Sequence, residues 1–173
     1  VIDVANAYAT FAANGIYSKP YMVKQVIGPN KGVLYEGKAQ TQEVFSKEVM
    51  ADLTYALKSV VNGGTGAAAL GLGRPAAGKT GTSQSNASAW FSAYTPNLAA
   101  SVSLFRDSAS ESLNGIGGLT SVTGGTFPAR IWTAFMKGAL KEEPVMEFPQ
   151  PANIGGLDPI VMTSGGKQSQ KKK

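Results

Sequence analysis

Between Ala77 and Phe105 the chain spells three short segments in close succession: Ala77-Gly78-Lys79-Thr80-Gly81-Thr82, Ala89-Trp90-Phe91-Ser92-Ala93-Tyr94, and Leu98 to Phe105. No other stretch restricts the fold as much. The second segment is rich in aromatic side chains, as strands often are, and the third reads as a further strand. Thr95-Pro96-Asn97 between them has turn composition, because proline presets φ and asparagine can hydrogen-bond its own backbone. These features predict three successive antiparallel strands. Ala77 to Thr82 is the first, an extended edge segment that presents backbone donors and hydroxyls, with Lys79 upon it.

Gly73 to Thr80 also satisfies the phosphate-loop pattern G-x-x-x-x-G-K-[ST]. Such a loop needs a buried strand before it and a helix starting at its Lys-Thr end, so that backbone N–H groups and the helix dipole face the phosphates. Ala67 to Pro75 has too much glycine and alanine and too few β-branched residues for that strand. Gly81 to Asn86 is full of residues that compete with helix hydrogen bonding. An acidic metal partner could be placed only on Asp107, directly after Arg106. Nucleotide binding stays as a remote alternative.

The absence of histidine and cysteine removes whole reaction classes. Ser-His-Asp triads, Cys-His dyads, disulfides and histidine or thiolate metal sites are all excluded. A proton carrier here must be a lysine, a carboxylate, a tyrosine or water, which suits a lysine-based serine enzyme. Lys167, Lys171, Lys172 and Lys173 supply four of the formal net charge of +5. The remainder is close to neutral, with no basic face that would mark a nucleic-acid partner. Hydrophobic residues make up 43% and charged residues 16%, which places the chain among globular domains. No apolar run within these residues reaches the length of a membrane span, and none of these residues reads as a signal peptide.

The remaining elements follow from periodicity and caps. Asp3 is expected to cap a helix running to about Asn14, with Val4, Tyr8, Phe11 and Ala12 on one face and Gly15 at its end. Tyr21 to Ile27 and Val33 to Glu36 read as strands around the turn Gly28 to Gly32. Ser46 caps a second helix whose buried stripe is expected to be Val49, Leu53, Ala56, Leu57 and Val60. Thr65 to Leu70 reads as a short helix inside a glycine-rich segment, and Ser108 to Gly125 as a polar surface loop. Phe127 to Leu140 is a third helix, with Pro128 in its first turn and a wide apolar face of Ile131, Trp132, Phe135, Met136 and Leu140. Trp90, Phe91, Trp132 and Phe135 are expected to pack in the core. From Pro144 the chain is proline-rich and extended. The domain is assigned to residues 1–150, with a flexible Gly/Lys-rich tail over 151–173.

Five blocks then appear in order: Asp3 to Gly15 (DVANAYATFAANG), Gly64 to Ala69 (GTGAAA), Gly78 to Thr82 (GKTGT), Ala89 to Pro96 (AWFSAYTP) and Gly124 to Met136 (GGTFPARIWTAFM). Together they resemble the C-terminal half of the transpeptidase domain of bifunctional, class A penicillin-binding proteins. The resemblance covers roughly residues 1 to 150. It implies an α/β fold of the α+β type, an antiparallel sheet of five strands flanked by helices, shared with β-lactamases and present here as its C-terminal part. It implies peptidoglycan cross-linking, in which a serine attacks the D-Ala-D-Ala bond of one stem peptide and a neighbouring amine resolves the acyl-enzyme; β-lactams trap that serine. It calls for no cofactor and no metal. It places the protein at the extracytoplasmic face of the bacterial membrane, anchored by a segment outside this chain.

Lys79, Thr80, Gly81 and Thr82 match the family's Lys-Thr-Gly element. The resemblance assigns substrate binding to all four, and catalytic roles to Lys79 and Thr82. The chemistry of the residues agrees. A substrate ending in a carboxylate calls for a cation and hydroxyl donors. Gly81 would let a substrate backbone lie close, and the Thr82 N–H would serve as one oxyanion donor.

The family's S-x-x-K and S-x-N motifs should precede Lys79, and neither does. Ser164 to Lys167, Ser169 to Lys172 and Ser112-Leu113-Asn114 fit the patterns but follow Lys79, and they read as chance matches. The nucleophile is therefore expected from an N-terminal portion of the same domain preceding Val1. Ser88 stands where family members often carry an acid. The alternatives are a class A β-lactamase or D,D-carboxypeptidase fragment, and a noncatalytic module built from a degenerate enzyme.

Overall fold

The three strands expected around Lys79 form one antiparallel sheet. In the computed structural model, which describes residues 1–155, they are β5 (Ala77–Thr82), β6 (Ser88–Thr95) and β7 (Leu98–Phe105), in the order β5-β6-β7. Lys79 pairs with Ser92, Thr80 with Phe91, Gly81 with Trp90 and Thr82 with Ala89. Four shorter strands precede them: β1 (Ile16–Ser18), β2 (Gln25–Ile27), β3 (Val33–Glu36) and β4 (Thr41–Glu43). β1 pairs with β4 and β2 with β3, each antiparallel. The helices are α1 (Ile2–Ala12), α2 (Lys47–Asn62) and α3 (Phe127–Ala139).

Alternation along β6 sorts its side chains onto two faces. Phe91 and Ala93 meet Trp132, Met136 and Leu140 of α3 and the turn that follows it, with Ala69 and Leu72 of a 3-10 segment (Ala67–Leu72) closing the cluster. The Trp132 ring meets Phe91 edge-on at 5.4 Å, and its indole N–H donates to the Ala93 carbonyl at 3.2 Å. The buried ring thus keeps its one polar group satisfied. On the opposite face, Tyr94 and Ala77 pack with Tyr8 and Phe11 of α1, Leu57 of α2 and Phe148. Helices therefore cover both faces, as the resemblance implied.

Several local expectations need correction. Asp3 is not the cap of α1: Val1 holds that position and makes no side-chain bond, while Asp3 lies in the first turn, where its charge complements the helix N-terminus. Ser46 does cap α2, its hydroxyl accepting from the Val49 N–H at 3.4 Å. The buried side of α2 is rotated from the expected stripe. Met50, Ala51, Thr54 and Val61 are buried, Leu53, Leu57 and Val60 are half-buried, and Val49 is 41% exposed. The reason is a polar contact that periodicity of apolar residues cannot reveal: Thr54 faces the sheet because its hydroxyl bonds Tyr94.

In α3, Trp132, Met136 and Leu140 recur every four residues and face the sheet. Ile131 and Phe135 each precede one of them, so they swing about 100° around the helix, and they are 45% and 55% exposed. Phe135 is not a core residue among the described residues. The strand expected from Tyr21 begins only at Gln25. The Ser108 to Gly125 segment is less of a free loop than expected, because Leu113 and Val122 are buried against Ala89.

Candidate functional site

Lys79, Thr80, Gly81 and Thr82 lie consecutively on β5, which no other strand flanks on its outer side among the described residues. The Ser83 N–H donates inward to the Ser88 carbonyl at 3.0 Å. Successive residues of a strand direct their backbone groups to opposite sides, so the Thr82 and Thr80 backbone groups face outward. The Thr80 carbonyl confirms that sense, since it accepts a bond from Lys79 Nζ at 3.0 Å. The ammonium keeps two further protons for another partner. Lys79 is exposed, and Thr80 and Gly81 are half-buried.

Two contacts reach this strand from distant parts of the chain. Thr65 Oγ1 lies 2.6 Å from Thr80 Oγ1. The Gly124 N–H donates to Thr82 Oγ1 at 3.1 Å. Gly124 fits there because it has no side chain: a Cβ would stand 2.1 Å from the Trp90 carbonyl oxygen. Neither Thr65 nor Gly124 was a site residue by sequence reasoning. The signal was present in the blocks GTGAAA, where glycines flank Thr65, and GGTFP, where Gly124 is the first of two glycines, but nothing in the sequence tied those blocks to β5. Gly81 also serves the sheet itself, since a Cβ there would press to 3.3 Å from Trp90 Cβ.

Beyond the Thr82 end of β5 opens a cleft of about 600 Å³, walled by Ser83, Ser88, Trp90, Phe105, Arg106 and Asp107. Trp90 is half-buried and lines this cleft, whereas Phe91 is fully buried, so the expected core role holds for Phe91 and only in part for Trp90. Ser112-Leu113-Asn114 does structural work. Asn114 Oδ1 accepts from Asn86 Nδ2 at 2.7 Å and from the Val122 N–H at 3.3 Å, which pins the loop. Ser164 to Lys167 and Ser169 to Lys172 lie outside the described residues.

The phosphate-loop reading fails on geometry. Lys79 and Thr80 sit in mid-strand, and no α-helix starts at Thr80; the next helical element is a 3-10 turn at Gln84–Asn86. What the strand offers is a cation, two hydroxyls and outward backbone groups in a row. That set suits an extended peptide with a terminal carboxylate. Among the described residues no group of acidic side chains is gathered as a metal site would require.

A family model described as the penicillin binding protein transpeptidase domain matches residues 1–109. Penicillin-binding protein 1A of Mycolicibacterium smegmatis is 36% identical over 163 residues, covering 90% of this chain and 20% of that protein. Penicillin-binding protein 1A of Mycobacterium tuberculosis is 36% identical over 164 residues with the same coverage. The chain thus spans about a fifth of the length of these curated relatives. Among solved structures, the penicillin-binding protein PonA1 from Mycobacterium tuberculosis superposes with a TM-score of 0.83 at 32% identity, covering 100% of this chain and 47% of that one. The PonA1 protein in complex with penicillin V gives 0.81 at 36% identity, covering 91% and 42%.

Proposed function

This chain belongs to the penicillin-binding protein transpeptidase family, and from that premise we propose that it supplies the substrate-gripping edge of a peptidoglycan D,D-transpeptidase. In this reading β5 receives the D-Ala-D-Ala end of a stem peptide as an added strand. The Lys79 ammonium and the Thr80 hydroxyl hold the terminal carboxylate, Gly81 admits the peptide backbone, and the Thr82 N–H stabilises the oxyanion. Removal of one such donor costs about a hundredfold in rate.

The attacking serine comes from an N-terminal portion of the same domain carrying the S-x-x-K motif. Its hydroxyl adds to the carbonyl between the two alanines. Collapse of the tetrahedral adduct expels the terminal D-alanine as a protonated amine and leaves an ester on the serine. An amine from a neighbouring stem peptide then displaces the serine, forming the cross-link and returning its proton. A β-lactam enters the same site, opens on the serine and stays. The whole protein acts at the extracytoplasmic face of the membrane, held by a segment outside this chain; among the described residues no helix is long and apolar enough to cross a membrane.

The observation that supports this reading is the outward-facing backbone of Thr80 and Thr82, beside the exposed Lys79, on a strand that no other strand flanks on its outer side among the described residues. The test is covalent labelling with fluorescent penicillin. This polypeptide alone should remain unlabelled. When it is paired with the serine-bearing portion, label should appear on that other portion and persist. Rapid turnover of the penicillin would favour a β-lactamase instead, and no labelling of the pair would favour a noncatalytic module.

A further inference from the structure

Thr65 is a turn residue fifteen positions before Thr80, yet the two hydroxyl oxygens lie 2.6 Å apart. The turn is fixed from three sides. The Gly66 N–H donates to the Val60 carbonyl at 2.9 Å, tying the turn to the end of α2. A Cβ on Gly66 would come 2.9 Å from the Phe91 ring, and one on Gly125 would come 2.2 Å from the Thr65 carbonyl oxygen. Glycines on both sides therefore allow the turn to close on the sheet, and packing holds Thr65 against β5.

Each threonine hydroxyl carries one proton and two lone pairs. A single O–H···O bond joins the pair, and either oxygen can be the donor. The choice ends once Thr80 gives its proton to a carboxylate. From then on the contact survives only if Thr65 donates into Thr80. We propose that Thr65 is the positioning residue for Thr80: its hydroxyl sets the Thr80 rotor and turns the Thr80 proton toward the carboxylate of a bound peptide or β-lactam. This inference rests on the reading of Thr80 as a carboxylate donor. A hydroxyl that accepts one hydrogen bond donates a stronger one, and a rotor already fixed loses less freedom on binding. The effect is confined to ligands with an anionic terminus at Thr80. A purely structural role for Thr65 would affect all ligands alike.

The test uses the full-length protein and two probes, benzylpenicillin and its methyl ester, with the second-order acylation rate constant measured for both in the same sample. Thr65→Val keeps the shape and removes the donor. The acid should react about tenfold more slowly, as expected for a weakened hydrogen bond to a charged group, while the ester changes by less than about twofold. Thr65→Ser should restore the acid. The acid-to-ester ratio is independent of how much of a variant is folded. Should Thr65→Val fail to fold, Thr65→Cys, a weaker donor, should give a ratio between wild type and the loss expected for valine. Equal losses for both probes, an unchanged ratio, or a serine variant that does not recover would overturn the role of Thr65 while leaving the transpeptidase reading in place. A wild-type protein that neither probe acylates would overturn that reading and this one with it.

Discussion

The Tyr94 hydroxyl lies 2.8 Å from the Thr54 hydroxyl, joining β6 to α2 through one buried bond. Tyr94 also meets Tyr8 at 6.1 Å and Phe148 at 5.5 Å, both edge-on. Burial pushes its phenol up to about 12, with the Thr54 bond pulling in the opposite direction. The fold thus favours the neutral phenol. In the unfolded chain that group ionises near pH ~10, so its stabilisation is complete below that value and is lost as pH rises through about 12. Tyr94→Phe cannot ionise, and its stability should fall less steeply than wild type across this alkaline window. At neutral pH it should lose about 1–2 kcal/mol, because Thr54 is left buried without its partner. Urea unfolding at a series of pH values checks both; identical alkaline slopes would remove Tyr94 as the cause.

Gly124→Ala should be severe for its size. The added Cβ would meet the Trp90 carbonyl oxygen at 2.1 Å and the Gly81 carbonyl oxygen at 2.8 Å, both backbone atoms that no side-chain rotation can move. A cost of about 2–3 kcal/mol follows for overpacking of this kind. Gly32→Ala is the matched control, since nothing lies within 4 Å of its Cβ; it should change stability by less than about 0.5 kcal/mol. Thermal unfolding of the two variants tests the contrast, and similar melting temperatures would contradict it.

What could be seen in the sequence was whatever depends on neighbours along the chain. β5 and β7 begin and end at the expected residues, on either side of the strand that leads into the Thr95-Pro96-Asn97 turn, and β6 exceeds its expected span by one residue at each end. Ser46 was legible as a cap because capping is local. The misses share one cause, contacts between distant segments. Thr54 rotates α2 toward Tyr94, forty positions away. Thr65 approaches Thr80 only because α2 and the Gly124-Gly125 turn converge on the same strand. Phe135 reads as core in a helical pattern that cannot say how wide the covered stripe is. For the candidate site, the four residues on β5 were legible as a motif, and the groups that hold them were not.

Lys79→Ala separates grip from fold. Lys79 is exposed, and its ammonium donates to the carbonyl of the next residue. Its removal should shift stability by no more than about 0.5 kcal/mol. If Lys79 grips the ligand carboxylate as proposed, the same change in the full-length protein should slow acylation by fluorescent penicillin by about a hundredfold or more. Labelling rate and melting temperature are read on one preparation. An unchanged rate takes Lys79 out of the mechanism.

Asp52 fastens the segment that follows α3 back onto α2. Its carboxylate accepts the Asn153 N–H at 2.8 Å and the Ile154 N–H at 3.0 Å, and these backbone bonds hold its pKa below the ordinary aspartate value. The charged form is the one the fold prefers. The clamp is therefore complete above the unfolded value of about 4 and is lost as pH falls through the depressed folded value. Asp52→Asn keeps the size but leaves a single acceptor oxygen for two donors. The amides of Asn153 and Ile154 should then exchange with solvent faster at neutral pH, and on acidification the protection of these amides in wild type, measured against the intrinsic rate at each pH, should fall to that of the variant. Amides of β6 should keep their protection in both proteins, because β6 is paired on both sides, with β5 and with β7. Equal exchange at Asn153 in variant and wild type at neutral pH would show that the carboxylate does not hold this segment.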